Sequence, residues 1–249
     1  AIEKWGGIIG GILGTLPTTI IPATIGIYAE AGEDDLATSM SLIPFGMLLN
    51  ALFVGSWVVY PKIKPGATLG QMITVSLGFW LILAVILTST FEIILQHFSE
   101  LNIGITGLLL LLGLGLWMTW KPRPAPKGTN SVTKFVLAMR GLAAASAIGV
   151  AVYLSGIGYP IIAGLAAVFP AIFLTTMVAL WIAQGSDVPT GAAGPMMLGG
   201  ASVSVYSLIA PFALPAYGLI FGSIICWFGA VISISIPAYW WLSKRNDTR

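Results

Sequence analysis

The sequence predicts an all-α integral membrane protein of eight transmembrane helices, arranged as an inverted 3+2+3 repeat. Three observations carry this reading: the composition, the placement of the charges, and a likeness of the chain to itself. Of 249 residues, 57% are hydrophobic and only 8% are charged, against about 25% charged in ordinary soluble domains. So little polar surface cannot wrap a soluble globule, which excludes a soluble enzyme and a nucleic-acid binder. The apolar residues come in runs close to the helix length that spans a hydrocarbon core of about 30 Å. A membrane β-barrel would alternate polar and apolar residues, whereas Leu108 to Trp117 is apolar on every side.

The spans follow in order. Trp5 to Tyr28 is too long and too rich in Gly and Pro for a signal peptide and lacks an A-x-A cleavage site, so it reads as the first permanent span. Ala37 to Val59, Leu69 to Ile94, Ile103 to Trp120, Phe135 to Leu154, Tyr159 to Ile182, Gly191 to Ile209 and Leu214 to Leu242 complete the set. The stretches between them carry nearly all the charge. Glu30, Glu33, Asp34 and Asp35 fill the first loop, Lys62 and Lys64 the second, and Lys121, Arg123, Lys127 and Lys134 the fourth. Eight spans put both termini and the second and fourth loops on one side, and with Arg140 all 11 basic residues fall there. The positive-inside rule makes that side cytoplasmic. Trp57, Tyr60, Trp117, Trp120, Tyr239, Trp240 and Trp241 near span ends read as interfacial aromatics.

Sliding the chain against itself pairs Leu16-Pro17-Thr18-Thr19 with Phe169-Pro170-Ala171-Ile172, and at the same offset Gly32 with Gly185 and Asp34 with Asp187. After a two-residue gap, Ile43-Pro44-Phe45-Gly46-Met47 falls on Gly194-Pro195-Met196-Met197-Leu198. Repeat A then covers about 5–98, the connecting helices about 102–156, and repeat B about 159–243 of one transmembrane domain. Counterparts five spans apart run in opposite directions, the inverted topology common among transporters, with chance similarity between Gly/Pro-rich helices as the competing explanation.

Proline lacks an N–H and clashes with the carbonyl one turn back, so Pro17, Pro22 and Pro170 are expected to kink or break the first and sixth spans near mid-membrane. Freed carbonyls are tolerated at that depth only where protein, hydroxyls or a water-filled cavity satisfies them. Thr18 and Thr19 crowd the first break and Thr175 and Thr176 follow the second. Their hydroxyls either bond back within their own helices or contribute to a solute site. Asn50 in the second span and Ser204 in the seventh add polar groups, and a buried carboxamide is more often glue between helices than a ligand. Gly6, Gly10 and Gly14 form a G-x-x-x-G stripe, with Gly7 and Gly11 beside it. It reads as close packing within the subunit or in a homodimer or larger membrane complex.

No Asp, Glu or His lies deep in a span, so neither a carboxylate proton relay nor a divalent-metal ligand set is expected. The lone His97 reads as structural, and the lone Cys226 as a small buried apolar residue. Arg140, one and a half turns into the fifth span, either snorkels to the cytoplasmic interface or contacts an anion. No Walker loop, nucleophile elbow or acid pair is present, so no enzyme activity and no cofactor are expected.

Three helices, two more, and an inverted copy of the first three, together with Gly10-Gly11-Ile12-Leu13-Gly14-Thr15-Leu16-Pro17 and small-residue second and seventh spans ending at Pro61 and Pro211, resemble the zinc and iron permease (ZIP) family. The resemblance covers spans one to three and six to eight and implies that family's fold. Its metal site requires His, Asn, Pro and Glu on spans four and five. Leu101-Asn102-Ile103-Gly104-Ile105-Thr106-Gly107 and Arg140-Gly141-Leu142-Ala143-Ala144 offer no His or Glu, so no metal-site residue carries over and a ZIP-like metal transporter is the disfavoured alternative. The expectation is a permease or facilitator for a neutral, zwitterionic or anionic solute. Its contacts are expected among Thr18, Thr19, Asn50, Thr175, Thr176 and Ser204, and the rival reading is a non-transporting membrane subunit.

Overall fold

The computed structural model describes residues 2–120, 134–185 and 187–247. Every regular element among them is helical: α1 (Ile2–Leu13), α2 (Ile20–Ile63), α3 (Leu69–Leu95), α4 (Glu100–Thr119), α5 (Lys134–Gly156), α6 (Pro160–Ala167), α7 (Ala171–Gln184), α8 (Asp187–Ala230), a π-helical turn (Val231–Ser235) and α9 (Ile236–Asp247). Six helical stretches are long and apolar enough to cross a membrane. Their outer faces are apolar too: Leu81, Ile82, Val85 and Ile86 on α3, and Leu142, Val150 and Tyr153 on α5, are exposed. An apolar surface of that extent belongs in lipid, which makes this a multi-pass membrane protein.

The longest helices are not straight rods. Gly32 within α2 adopts φ 82°, ψ −165°, a backbone region open essentially to glycine alone. The chain doubles back there: Thr24 Oγ1 lies 3.6 Å from Met40 Sδ, whereas 16 residues of straight helix would hold them about 24 Å apart. The acidic first loop expected between the first two spans is therefore helix up to and beyond a single-glycine corner, because one such residue reverses the chain without a loop. In the same way α8 continues through Pro211 and Pro215 and turns at Gly218 (φ 75°, ψ 169°), not at 210–213 as hydropathy suggested. A Cβ on Gly222 would meet the Ala213 carbonyl oxygen at 2.6 Å, so the two limbs of this corner touch.

Beyond its corner, α2 is the axis of the bundle. Leu36, Met40, Ile43, Met47, Asn50, Phe53, Val54 and Trp57 recur at three- and four-residue spacing and are buried. The helix packs most extensively on α8, with α4 laid across both. Glycines allow that approach: a Cβ at Gly107 would meet the Phe45 backbone nitrogen at 2.9 Å, and one at Gly115 would meet Leu198 Cδ2 at 2.8 Å. The glycine stripe of α1 is partly used within the chain. A Cβ at Gly11 would meet Pro195 Cβ at 2.8 Å, while one at Gly14 would meet only its own helix. Gly10 is buried, and the surroundings of Gly6 lie outside the description. The basic stretch Lys121 to Lys127 and the side chains of Lys134 and Asp187 also lie outside it.

Candidate functional site

The helices are interrupted at 14–19, between α1 and α2, and at 168–170, between α6 and α7. At the first interruption Thr15 N donates to Ile12 O (3.1 Å) and Thr18 N to Leu16 O (2.7 Å). At the second, Val168 N donates to Leu165 O (3.2 Å) and Ala171 N to Phe169 O (2.7 Å). Each of these residues stands 153 positions from its counterpart, and each short bond brackets a proline, Pro17 or Pro170, that has no N–H to give. Downstream, Gly185 (φ 79°, ψ −176°) closes α7 in nearly the backbone conformation of Gly32. Pro22 breaks nothing: it is the third residue of α2, where the missing N–H would have had no partner one turn back within the helix.

The breaks are held crosswise. Asn50 of α2 donates from Nδ2 to Val168 O (2.7 Å) in the second break, and its Oδ1 accepts from Trp80 Nε1 (2.8 Å). Trp80 in turn meets the Phe169 ring edge-on, with centroids 5.4 Å apart. Ser202 of α8 donates to Thr15 O (3.2 Å) in the first break and also to Gly199 O (2.7 Å). Two glycines let the helices come this close, and at 153 positions apart they carry the register of the breaks onward without the two-residue gap expected from the sequence. A methyl at Gly46 would collide with Val168, and one at Gly199 with Thr15.

Between the two breaks lies a cavity of about 60 Å³, walled by Gly14, Thr15 and Thr19, by Met47 and Asn50, by Ala144 and Ala147 of α5, by Ala167 to Phe169, and by Val203. No charged residue is among its walls. It has room for a few water molecules, far below the 300 Å³ or more of a site for a drug-sized ligand. Of the contacts expected from the sequence, Thr19 and Asn50 line it, and Asn50 has both ends of its carboxamide engaged. Thr18, Thr175, Thr176 and Ser204 are outside the wall. Thr18 is exposed, and Thr175 Oγ1 turns back onto Ala171 O (2.8 Å) and Ile172 O (3.2 Å). Ser204 Oγ is buried with no hydrogen-bond partner. Arg140, half-buried on α5, donates from Nη2 to Thr175 O (3.3 Å) and so ties α5 to α7. His97 Nδ1 sits 2.9 Å from Ile93 O.

Trp80 and the alanines of α5 join the site unannounced, and Ser202, a polar residue of the seventh span visible in the sequence, takes the place expected of Ser204. The one sequence signal was a tryptophan placed mid-span instead of at an interface, because its N–H needs a partner at that depth. Among the described residues no group of three or more His, Cys, Asp or Glu is placed to hold a metal ion. Comparison with protein-family models, with curated proteins and with solved structures gives no match.

Proposed function

We propose that this chain is a permease or facilitator for a small solute without net positive charge, which passes through the cavity between the two helix breaks. The observation that carries the reading is that two interruptions with the same backbone hydrogen bonds meet at one cavity. With the corners at Gly32 and Gly218, α1 and the first limb of α2 form one pass, α6 and α7 another, and the whole chain eight. The broken passes are then first and sixth and run in opposite directions, an inverted repeat of the kind that exposes a central site alternately to either side. In architecture this likens the chain to the ZIP family, although the cavity wall holds hydroxyls and a carboxamide and no His, Asp or Glu.

Leu13, Gly14, Thr18 and Thr19 are exposed at the first break. Irregular backbone facing lipid is not tolerated at membrane depth, whereas backbone lining water is, which favours an aqueous path at this face. A neighbouring subunit laid over it would meet the same requirement, and that keeps a non-transporting membrane subunit as the second reading. The clustering of Lys62, Lys64, Lys244 and Arg245 favours a cytoplasmic location for their side of the bundle. Cysteines placed at Asp34 and Glu100 are expected to react with an impermeant thiol reagent on intact cells, and one at Lys64 is not; labelling at Lys64 would reverse the orientation.

The deciding assay is uptake of a panel of small solutes into proteoliposomes. Thr19→Val keeps shape and removes a cavity hydroxyl, so it should weaken uptake several-fold, about 1 kcal/mol. Thr176→Val, outside the wall, should leave uptake unchanged. Absence of flux for every solute, together with a partner that co-purifies in fixed ratio, would favour the subunit reading.

A further inference from the structure

A second concavity, of about 380 Å³, lies on the outside of the bundle between α2, α3 and α4. Although α3 and α4 are consecutive, they hardly touch, and the gap between them is floored by small or flexible residues, Ala51 and Gly55 of α2 and Met197 of α8. Its walls present almost no polar surface, and the hydroxyl of Ser56 is spent on Phe53 O (2.6 Å). Along α2 the groove runs from Ala51 to Ile63, about 18 Å at 1.5 Å per residue. That is close to the roughly 15 Å of one leaflet of hydrocarbon. Its mouth carries Ile63 and Trp117, 74% and 72% exposed, at the level where amphipathic rings meet headgroups. Beside Ile63, at the end of α2, stand Lys62 and Lys64, both exposed.

We propose that this groove is a binding site for an anionic phospholipid, with an acyl chain lying along Ala51 to Ile63 and the headgroup phosphate held by Lys62 and Lys64. The apolar trough matches a single chain in length and chemistry, and Lys62 and Lys64 flank Ile63 at the end of the trough where a headgroup would lie. Basic residues beside a gap between transmembrane helices are a recurring form of anionic-lipid recognition. This site does not depend on transport and would equally serve a subunit of a complex.

The test is native mass spectrometry of the purified full chain, titrated with phosphatidylglycerol or phosphatidylcholine of identical acyl chains. Wild type should retain phosphatidylglycerol preferentially. Lys62→Gln with Lys64→Gln should lower its affinity by roughly thirtyfold, about fivefold for each lysine, and erase the preference. Val75→Trp, at a partly exposed wall position, should weaken both lipids alike. Equal retention of the two lipids by wild type, or an unchanged preference in the lysine variant, would overturn the proposal. So would a dimer without bound lipid that dissociates in Val75→Trp, which would assign the groove to a second copy of the chain. The lysine variant alone suffices if Val75→Trp does not fold.

Discussion

The two helix breaks share a backbone and differ in how firmly they are held. The second is locked: the Val168 carbonyl receives a 2.7 Å bond from Asn50, and Asn50 is itself fixed by Trp80. The first is loose. Its clamp is a serine hydroxyl at 3.2 Å that also serves Gly199, and Gly14, Thr18 and Thr19 are open on the other side. One backbone motif thus occurs in a braced and an unbraced form, and in the proposed permease the unbraced break is the part free to rearrange.

The largest test of this contrast is Asn50→Leu. It leaves both the Val168 carbonyl and the Trp80 N–H without partners, each costing about 1–3 kcal/mol when buried, less where membrane neighbours compensate. A loss of about 2–3 kcal/mol, read from thermal unfolding in detergent, is expected; a loss below about 1 kcal/mol would mean the second break is not braced by this network. Next come the paired corners. A Cβ at Gly32 or Gly185 would meet nothing within 4 Å, so Ala at either costs only the backbone conformation, about 1–3 kcal/mol. Gly32→Ala and Gly185→Ala should cost alike; a strong asymmetry would break the proposed equivalence of the halves. Smallest is Ser202→Ala, expected at about 0.5 kcal/mol because its acceptor already sits beside an open face. If it matched Asn50→Leu, the contrast would fail.

The prolines at both breaks, the pairing of Gly32 with Gly185 and the suspicion that Asn50 joins helices could all be read from residue types, because each rests on local backbone chemistry. The position of the corners could not. Hydropathy and Pro211 suggested a turn at 210–213, where the helix in fact continues to Gly218, and the acidic run Glu30 to Asp35 looks like a loop although its residues are helical on both sides of one glycine. Nor could the walls of the cavity be foreseen. Which of several threonines faces inward depends on helix rotation, set by glycines such as Gly46 and Gly199 meeting residues more than a hundred positions away.

The crosswise clamps also set an order in time. Ser202 stands 187 residues after the Thr15 carbonyl it serves, and Val168 118 after Asn50. At 5–20 residues per second of synthesis, the first interruption would wait roughly 10 to 40 s for its serine. During that interval the amino-terminal helices sit in the translocation machinery or the bilayer with that cap unmade and with the face of α2 that packs on α8 uncovered. A nascent chain halted before α8 should therefore remain bound to insertion factors, and one extended past Ser202 should be released.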